Sequence, residues 1–180
     1  VEAGGHRGVF DAEAPDDALG VFALTRILAR QGCCSVVAAG GVMDGAGVAA
    51  VLELGAVAAQ MGTAFVACPE SAADPAYRQA LLGPAAYHTR LITGISGRPA
   101  RGLANRLSAW LEQENAPLPP AYPIAYAAAK ALNTVARAGG EAGFGAHWAG
   151  QGAPLARAMP ATQLVSTLKA ELEQARTPCG

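Results

Sequence analysis

Charge is scarce in this sequence. Asp, Glu, Lys and Arg make up 15% of its 180 residues, the net charge is −1, and no basic run occurs. That balance disfavours nucleic-acid binding through a charged patch. No stretch of eighteen or more apolar residues is free of charge and glycine, so no membrane span is expected. The four cysteines, Cys33, Cys34, Cys68 and Cys179, form no CxxC pair and no ligand spacing with histidine. Buried or incidental thiols are expected, and no metal site. Nothing argues for an oxidising compartment, no signal peptide is expected, and the expected location is cytoplasmic. Aromatics are few as well, at 6%. Ala and Gly are abundant in a chain that is 52% apolar, which suits helices packed closely on a parallel sheet. The length fits one domain with a small appendage.

The stretch 36–65 has the clearest pattern. A short apolar run, Val36 to Ala39, stops at Gly40-Gly41. Asp44-Gly45 precedes a small-residue helical segment, Ala46 to Leu54, that Gly55 closes. A second apolar run, Val57 to Met61, stops at Gly62-Thr63. Strand, glycine turn, helix, strand and glycine turn in this span predict a βαβ crossover in a parallel sheet. Neither strand alternates with polar residues, so both faces are expected to be covered. Both glycine turns fall at the carboxyl edge, where α/β proteins place ligands. Glycine lets peptide N–H groups approach an anion closely, and such groups bind phosphate. The other reading is that these glycines only make tight turns; the residues alone leave both open.

Elsewhere, Val1 to Ala3 reads as a strand end. Asp16 or Asp17 can cap a helix from about Ala18 to Arg30, with Val21, Leu24, Ile27 and Leu28 as its apolar face. The region to Phe65 thus predicts three parallel strands with their crossovers. Asp74-Pro75 opens a short helix. Residues 87–93 are a strand candidate, and 94–102 a loop carrying Arg98 and Arg101. Helices are predicted over about Leu103–Glu114, with Trp110 in the core, and over Ile124–Ala138 and Ala161–Ala175. Between the first two, residues 116–123 contain four prolines and mark a rigid connector. His88 and His147 are expected at the surface or in packing.

His6 follows Gly4-Gly5. If the three strands share one sheet, their loops converge on one mouth and set this imidazole beside the ligand. Histidine titrates near neutral pH and suits proton abstraction next to an electron-accepting cofactor. A lone histidine is also a common structural residue.

Six motifs now stand in order: Glu-Ala-Gly-Gly-His-Arg-Gly (2–8), Ala-Ala-Gly-Gly-Val (38–42), Gln-Met-Gly-Thr-Ala-Phe (60–65), Pro-Glu-Ser (69–71), Gly-Arg-Pro-Ala-Arg-Gly-Leu-Ala-Asn (97–105) and Gly-Gln-Gly-Ala (150–153). Each is weak alone; together they resemble nitronate monooxygenase, formerly called 2-nitropropane dioxygenase. The resemblance implies an α/β fold, the carboxyl-terminal part (about the last three strands) of an FMN-dependent (β/α)8 barrel, with a small helical substrate domain. It implies barrel at 1–83, a helical insertion at 84–138, and a loop and helix packing back on the barrel at 139–180. The implied reaction is oxidation of an alkyl nitronate, or a nitroalkane, by molecular oxygen to a carbonyl compound and nitrite. By position, Gly40, Gly41, Gly62 and Thr63 would hold the FMN phosphate, with Gln60 and Met61 in the same loop and Gly4 against the flavin. His6 would be the catalytic base toward a nitroalkane Cα proton. Arg98 and Arg101 are expected in structural loop roles, and the resemblance sets the Gly150-Gln151 turn near the flavin edge, with no direct contact expected. Some relatives have Ser where Ala38 or Ala39 stands. The chain starts without Met, so it is expected to be part of a longer protein, marginally stable and a poor binder of FMN by itself. The alternatives are an FMN-dependent enoyl-acyl carrier protein reductase, which would consume NAD(P)H, and an inactive fragment. A homo-oligomer is left open.

Overall fold

The computed structural model describes residues 2–8, 11, 14 and 16–177. In chain order the elements are β1 (Gly5–His6), α1 (Val21–Gln31), β2 (Val37–Ala39), α2 (Gly45–Glu53), β3 (Ala58–Gln60), α3 (Thr63–Val66), α4 (Pro75–Leu81), β4 (Thr89–Ile92), β5 (Ala100–Leu103), α5 (Arg106–Leu111), α6 (Ile124–Ala138) and α7 (Ala161–Ala175). The fold is α/β.

The predicted βαβ unit is present. Strands β2 and β3 pair in parallel, with Val37, Ala38 and Ala39 opposite Ala58, Ala59 and Gln60. Helix α2 crosses between them. Asp44 caps it by accepting from Gly47 N at 2.7 Å, which satisfies one of the free amides of the first turn. Gly55 follows with φ 102°, a value that favours glycine. The same chemistry sets two other helices. Asp74 accepts from Tyr77 N ahead of Pro75 in α4, and Asn105 and Ser108 form a reciprocal capping box in α5. Helices α6 and α7 run over the spans the sequence predicts.

The third parallel strand is not formed among the described residues. Strand β1 is Gly5–His6, and it pairs antiparallel with β5, His6 opposite Ala100. Strand β5, predicted as loop, also pairs antiparallel with β4, giving a second sheet in the order β1-β5-β4. The 97–103 segment misled because Arg98, Pro99 and Arg101 break any apolar run. Arg101 is nevertheless buried on β5, its guanidinium donating to the Thr89 carbonyl and hydroxyl at 3.1 and 3.0 Å. Helix α1 starts at Val21, later than predicted, because its first free amide bonds the Glu2 carboxylate at 2.8 Å. Asp16 instead accepts from Ala18 N and pairs with Arg7. Cys179 and Val1 lie outside the described residues.

Small residues let the layers close. Helix α7 lies against α2 at Gly45, where any Cβ would overlap the Leu172 amide. Met43, Ala64, Cys68, Leu164 and Leu168 form the core under this contact. A second core, with Leu81, Ala86, Leu103, Ala149 and Ala153, joins α4 to β5. Burial is one-sided around β2 and α1. Val37 and Val57 are exposed, and so are Phe22, Leu24, Ile27 and Leu28, leaving Thr25 as the buried residue of α1. The expectation of two covered strand faces and a buried α1 stripe therefore fails for this chain. Trp110, expected in the core, is also exposed.

Candidate active site

Four segments converge where β2 and β3 end: 3–5, 39–43, 60–63 and 148–152. With Val66 and Tyr77 they line a cavity of about 330 Å³, within the size range of small-molecule sites. Gly4, Gly40, Gly41, Gln60, Met61, Gly62 and Thr63 all line it.

The floor is main chain packed on main chain. A Cβ on Gly4 would lie 2.9 Å from Gly150 N, and one on Gly40 2.7 Å from Ala3 N. A Cβ on Gly152 would lie 2.6 Å from the Gly41 carbonyl oxygen. Gly40 and Gly41 have φ values of 117° and 72°, which L side chains rarely adopt. Packing and turn geometry therefore explain these glycines without any ligand. Gly62 is different. Its φ is −106°, and a Cβ there would meet nothing within 4 Å. Its missing side chain leaves open space in the cavity wall, room that tight turning does not require.

Other groups fix the walls. Thr63 Oγ1 accepts from Gly150 N at 3.0 Å, which ties the β3 loop to the 148–152 segment. The Glu2 carbonyl accepts from Gln151 N at 2.9 Å. The Tyr77 hydroxyl donates to the Trp148 carbonyl, and its ring stacks on His147 with centroids 4.6 Å apart and planes at 4°. Burial raises the Tyr77 phenol, with the nearby Asp74 carboxylate adding to the effect, so Tyr77 is a neutral donor. Burial lowers His147, which is 7% exposed and whose Nε2 has no partner among the described residues.

His6 does not line the cavity; Gly5 and Trp148, on either side of it, do. The imidazole is exposed and sits among aromatic rings: Tyr122 at 5.2 Å, Trp148 at 5.6 Å and Tyr126 at 6.2 Å between centroids. Its backbone is held by β5 and by the next residue. Arg7 N donates to the Pro99 carbonyl at 2.8 Å, and the Arg7 guanidinium grips both Asp16 oxygens at 2.8 and 3.1 Å. Sequence reasoning missed Tyr77, Trp148, Tyr122 and Tyr126. Tyr126 and Lys130 stand four apart on one face of α6, and that was a readable signal; Tyr122 lies just before the helix. Arg98, expected in a loop role, lies over the Tyr122 ring at 5.3 Å. Gly150 lines the cavity, while Gln151 does not. His88 is exposed and His147 buried, matching their surface and packing readings.

Among the described residues no cluster of His, Cys, Asp and Glu could hold a metal ion, and no helix is long and apolar enough to cross a membrane.

A glycine-floored cavity at the carboxyl ends of paired parallel strands, with a histidine at its rim, defines an α/β chain built around a small-molecule site. The chain belongs to the nitronate monooxygenase family, whose model matches residues 1–171. Nitronate monooxygenase of Paraburkholderia phytofirmans is 60% identical over 97% of this chain and 48% of its own length. That of Pseudomonas aeruginosa is 57% identical over 96% of this chain and 49% of its own length. Among solved structures, nitroalkane oxidase from Streptomyces ansochromogenes superposes with a TM-score of 0.88 at 43% identity, covering 98% of this chain and 50% of that one. FabK from Thermotoga maritima gives 0.72 at 30% identity, over 96% of this chain and 52% of that one. The chain thus spans about half the length of the curated relatives it matches.

Proposed function

We propose that this chain is the carboxyl-terminal part of an FMN-dependent (β/α)8-barrel enzyme that oxidises alkyl nitronates with molecular oxygen, giving a carbonyl compound and nitrite. The observation that carries this reading is the convergence of Gly4, Gly40, Gly41, Gln60, Met61, Gly62 and Thr63 on one cavity. The open space at Gly62 supports a bound group there, since packing gives no reason for that glycine. Family membership supports the substrate class.

In this reading β2 and β3 are the last two barrel strands, within residues 1–83. Residues 84–138 form the substrate-side insertion, and 139–180 return to the barrel. The Gly40-Gly41 and Gly62-Thr63 turns hold the phosphate end of FMN through peptide N–H groups. FMN, when bound, supplies the electron-accepting chemistry. The chain's own residues bind, orient and move a proton. The His6 imidazole takes the Cα proton of a nitroalkane on a ring nitrogen, converting it to the nitronate. Tyr122, Tyr126 and Trp148 restrict the imidazole's rotation and keep it at the cavity rim. A nitronate has already lost that proton and needs no base.

The test is oxygen uptake by the full-length protein with 2-nitropropane and with its preformed nitronate, for wild type and His6→Asn. The substitution is expected to abolish turnover of the nitroalkane and to spare much of the turnover of the nitronate. Unchanged nitroalkane turnover removes His6 as the base. Turnover that consumes NAD(P)H without nitronate oxidation overturns the reaction assignment.

A further inference from the structure

The turn between β2 and α2, residues 40–44, forms one wall of the cavity, yet what holds its exit lies outside the cavity. Asp44 closes the turn from within by capping α2 at Gly47. The remaining contacts come from the far end of the chain. The Glu171 carboxylate, on α7, accepts from Gly45 N at 2.9 Å. Arg157 spans the junction: one guanidinium nitrogen donates to Glu171 at 2.5 Å and another to the Met43 carbonyl at 3.0 Å. The Met43 carbonyl of the turn and the first amide of the helix are thereby tied to one ion pair. The backbone bond to Gly45, and then Arg157, hold the Glu171 carboxyl below its ordinary range, so the pair is charged at neutral pH. The amino end of α2 is already occupied by two carboxylates, Asp44 and Glu171, and is not where an anion would bind. Any phosphate at this wall must use the Gly40-Gly41 peptides, whose placement depends on how firmly the turn is held.

We propose that Arg157 and Glu171 are positioning residues that preorganise the Gly40–Asp44 turn for the phosphate end of the flavin. They set affinity for the phosphate and leave affinity for the ring system unchanged. This inference rests on the FMN reading above. Neither residue lines the cavity, so their effect passes through the turn. A turn that is already ordered loses less freedom when the ligand arrives.

The experiment uses the full-length protein stripped of flavin and titrated with FMN and, separately, with riboflavin, which has the same ring and no phosphate. Arg157→Met and Glu171→Gln are each expected to weaken FMN binding by about tenfold, the equivalent of one charge-assisted hydrogen bond. Riboflavin affinity is expected to stay within about twofold, since it has no phosphate for the turn to hold. Arg157→Lys keeps the charge but lacks the fork that reaches both acceptors, so it should remain weakened. Equal weakening of both flavins overturns the proposal in favour of a general structural role. Full recovery in Arg157→Lys overturns it in favour of net charge, and wild-type FMN affinity in Glu171→Gln overturns it outright. Glu171→Gln, which keeps the side-chain volume, decides the matter should Arg157→Met not fold. A wild-type protein that binds neither flavin overturns the FMN reading itself, a result separable from all of these.

Discussion

The His6 imidazole and the Trp148 indole face each other across the cavity rim, their centroids 5.6 Å apart and their planes inclined at 60°. They come from opposite ends of the chain and meet because β1 and the 148–150 segment both dock on β5, through His6–Ala100 and Gly102–Trp148 bridges. Trp148→Ala in the full-length protein should therefore free the imidazole to rotate. On the role proposed for His6, turnover of nitroalkane is expected to fall roughly tenfold to a hundredfold, the range for a misplaced catalytic group. Turnover of preformed nitronate should fall less, because it needs no proton abstraction. Parallel oxygen-uptake assays on the two substrates measure the split.

Gly40 and Gly62 should respond in opposite ways to substitution. Gly40→Ala places a Cβ on the Ala3 backbone at a φ of 117°, and is expected to cost about 1–3 kcal/mol of stability. Gly62→Val meets no protein atom at Cβ and should leave the melting temperature unchanged while filling cavity space. Flavin content after purification, set beside Tm, separates the two outcomes.

His147 should make stability depend on pH. Burial lowers its folded value beneath the ordinary 6.5, so below that pH the unfolded chain binds a proton that the folded chain refuses. Stability is expected to be full above this range and to decline as pH falls through it toward the folded value. His147→Gln should flatten that slope, which urea midpoints measured from pH 7.5 to 5 would show.

Leu164, on α7, is fully buried in one core cluster with Met43 and Cys68. Leu164→Ala should cost about 2–5 kcal/mol, the range for a cavity left in a packed core. Chemical denaturation of the full-length protein checks it, with an unchanged m-value expected.

Local chemistry carried much of the fold into the sequence. Asp44 before a small-residue segment, Asp74-Pro75, and the glycines after β2 and β3 each specify a cap or a turn by their own geometry, and each sits where they predict. What stayed illegible depends on partners distant in sequence. Strand β1 has two residues, too few for a period, and it forms only because β5 offers Ala100 and Arg101. Helix α1 takes its first bond from Glu2, which no spacing rule connects to Val21. The site divides in the same way. The cavity glycines were legible from their turns; Tyr77 and Trp148 reach it through tertiary packing alone.

The glycine floor bears on how this site can change. Its crossings, Gly4 on Gly150, Gly40 on Ala3 and Gly152 on Gly41, are made of peptide groups, which every residue type shares. Mutation cannot retune such a surface gradually; it can only leave it or break it. Variation in what the cavity accepts must then come from side chains that can be exchanged one at a time, Tyr77 and Trp148 in its wall and Tyr122 and Tyr126 beside His6.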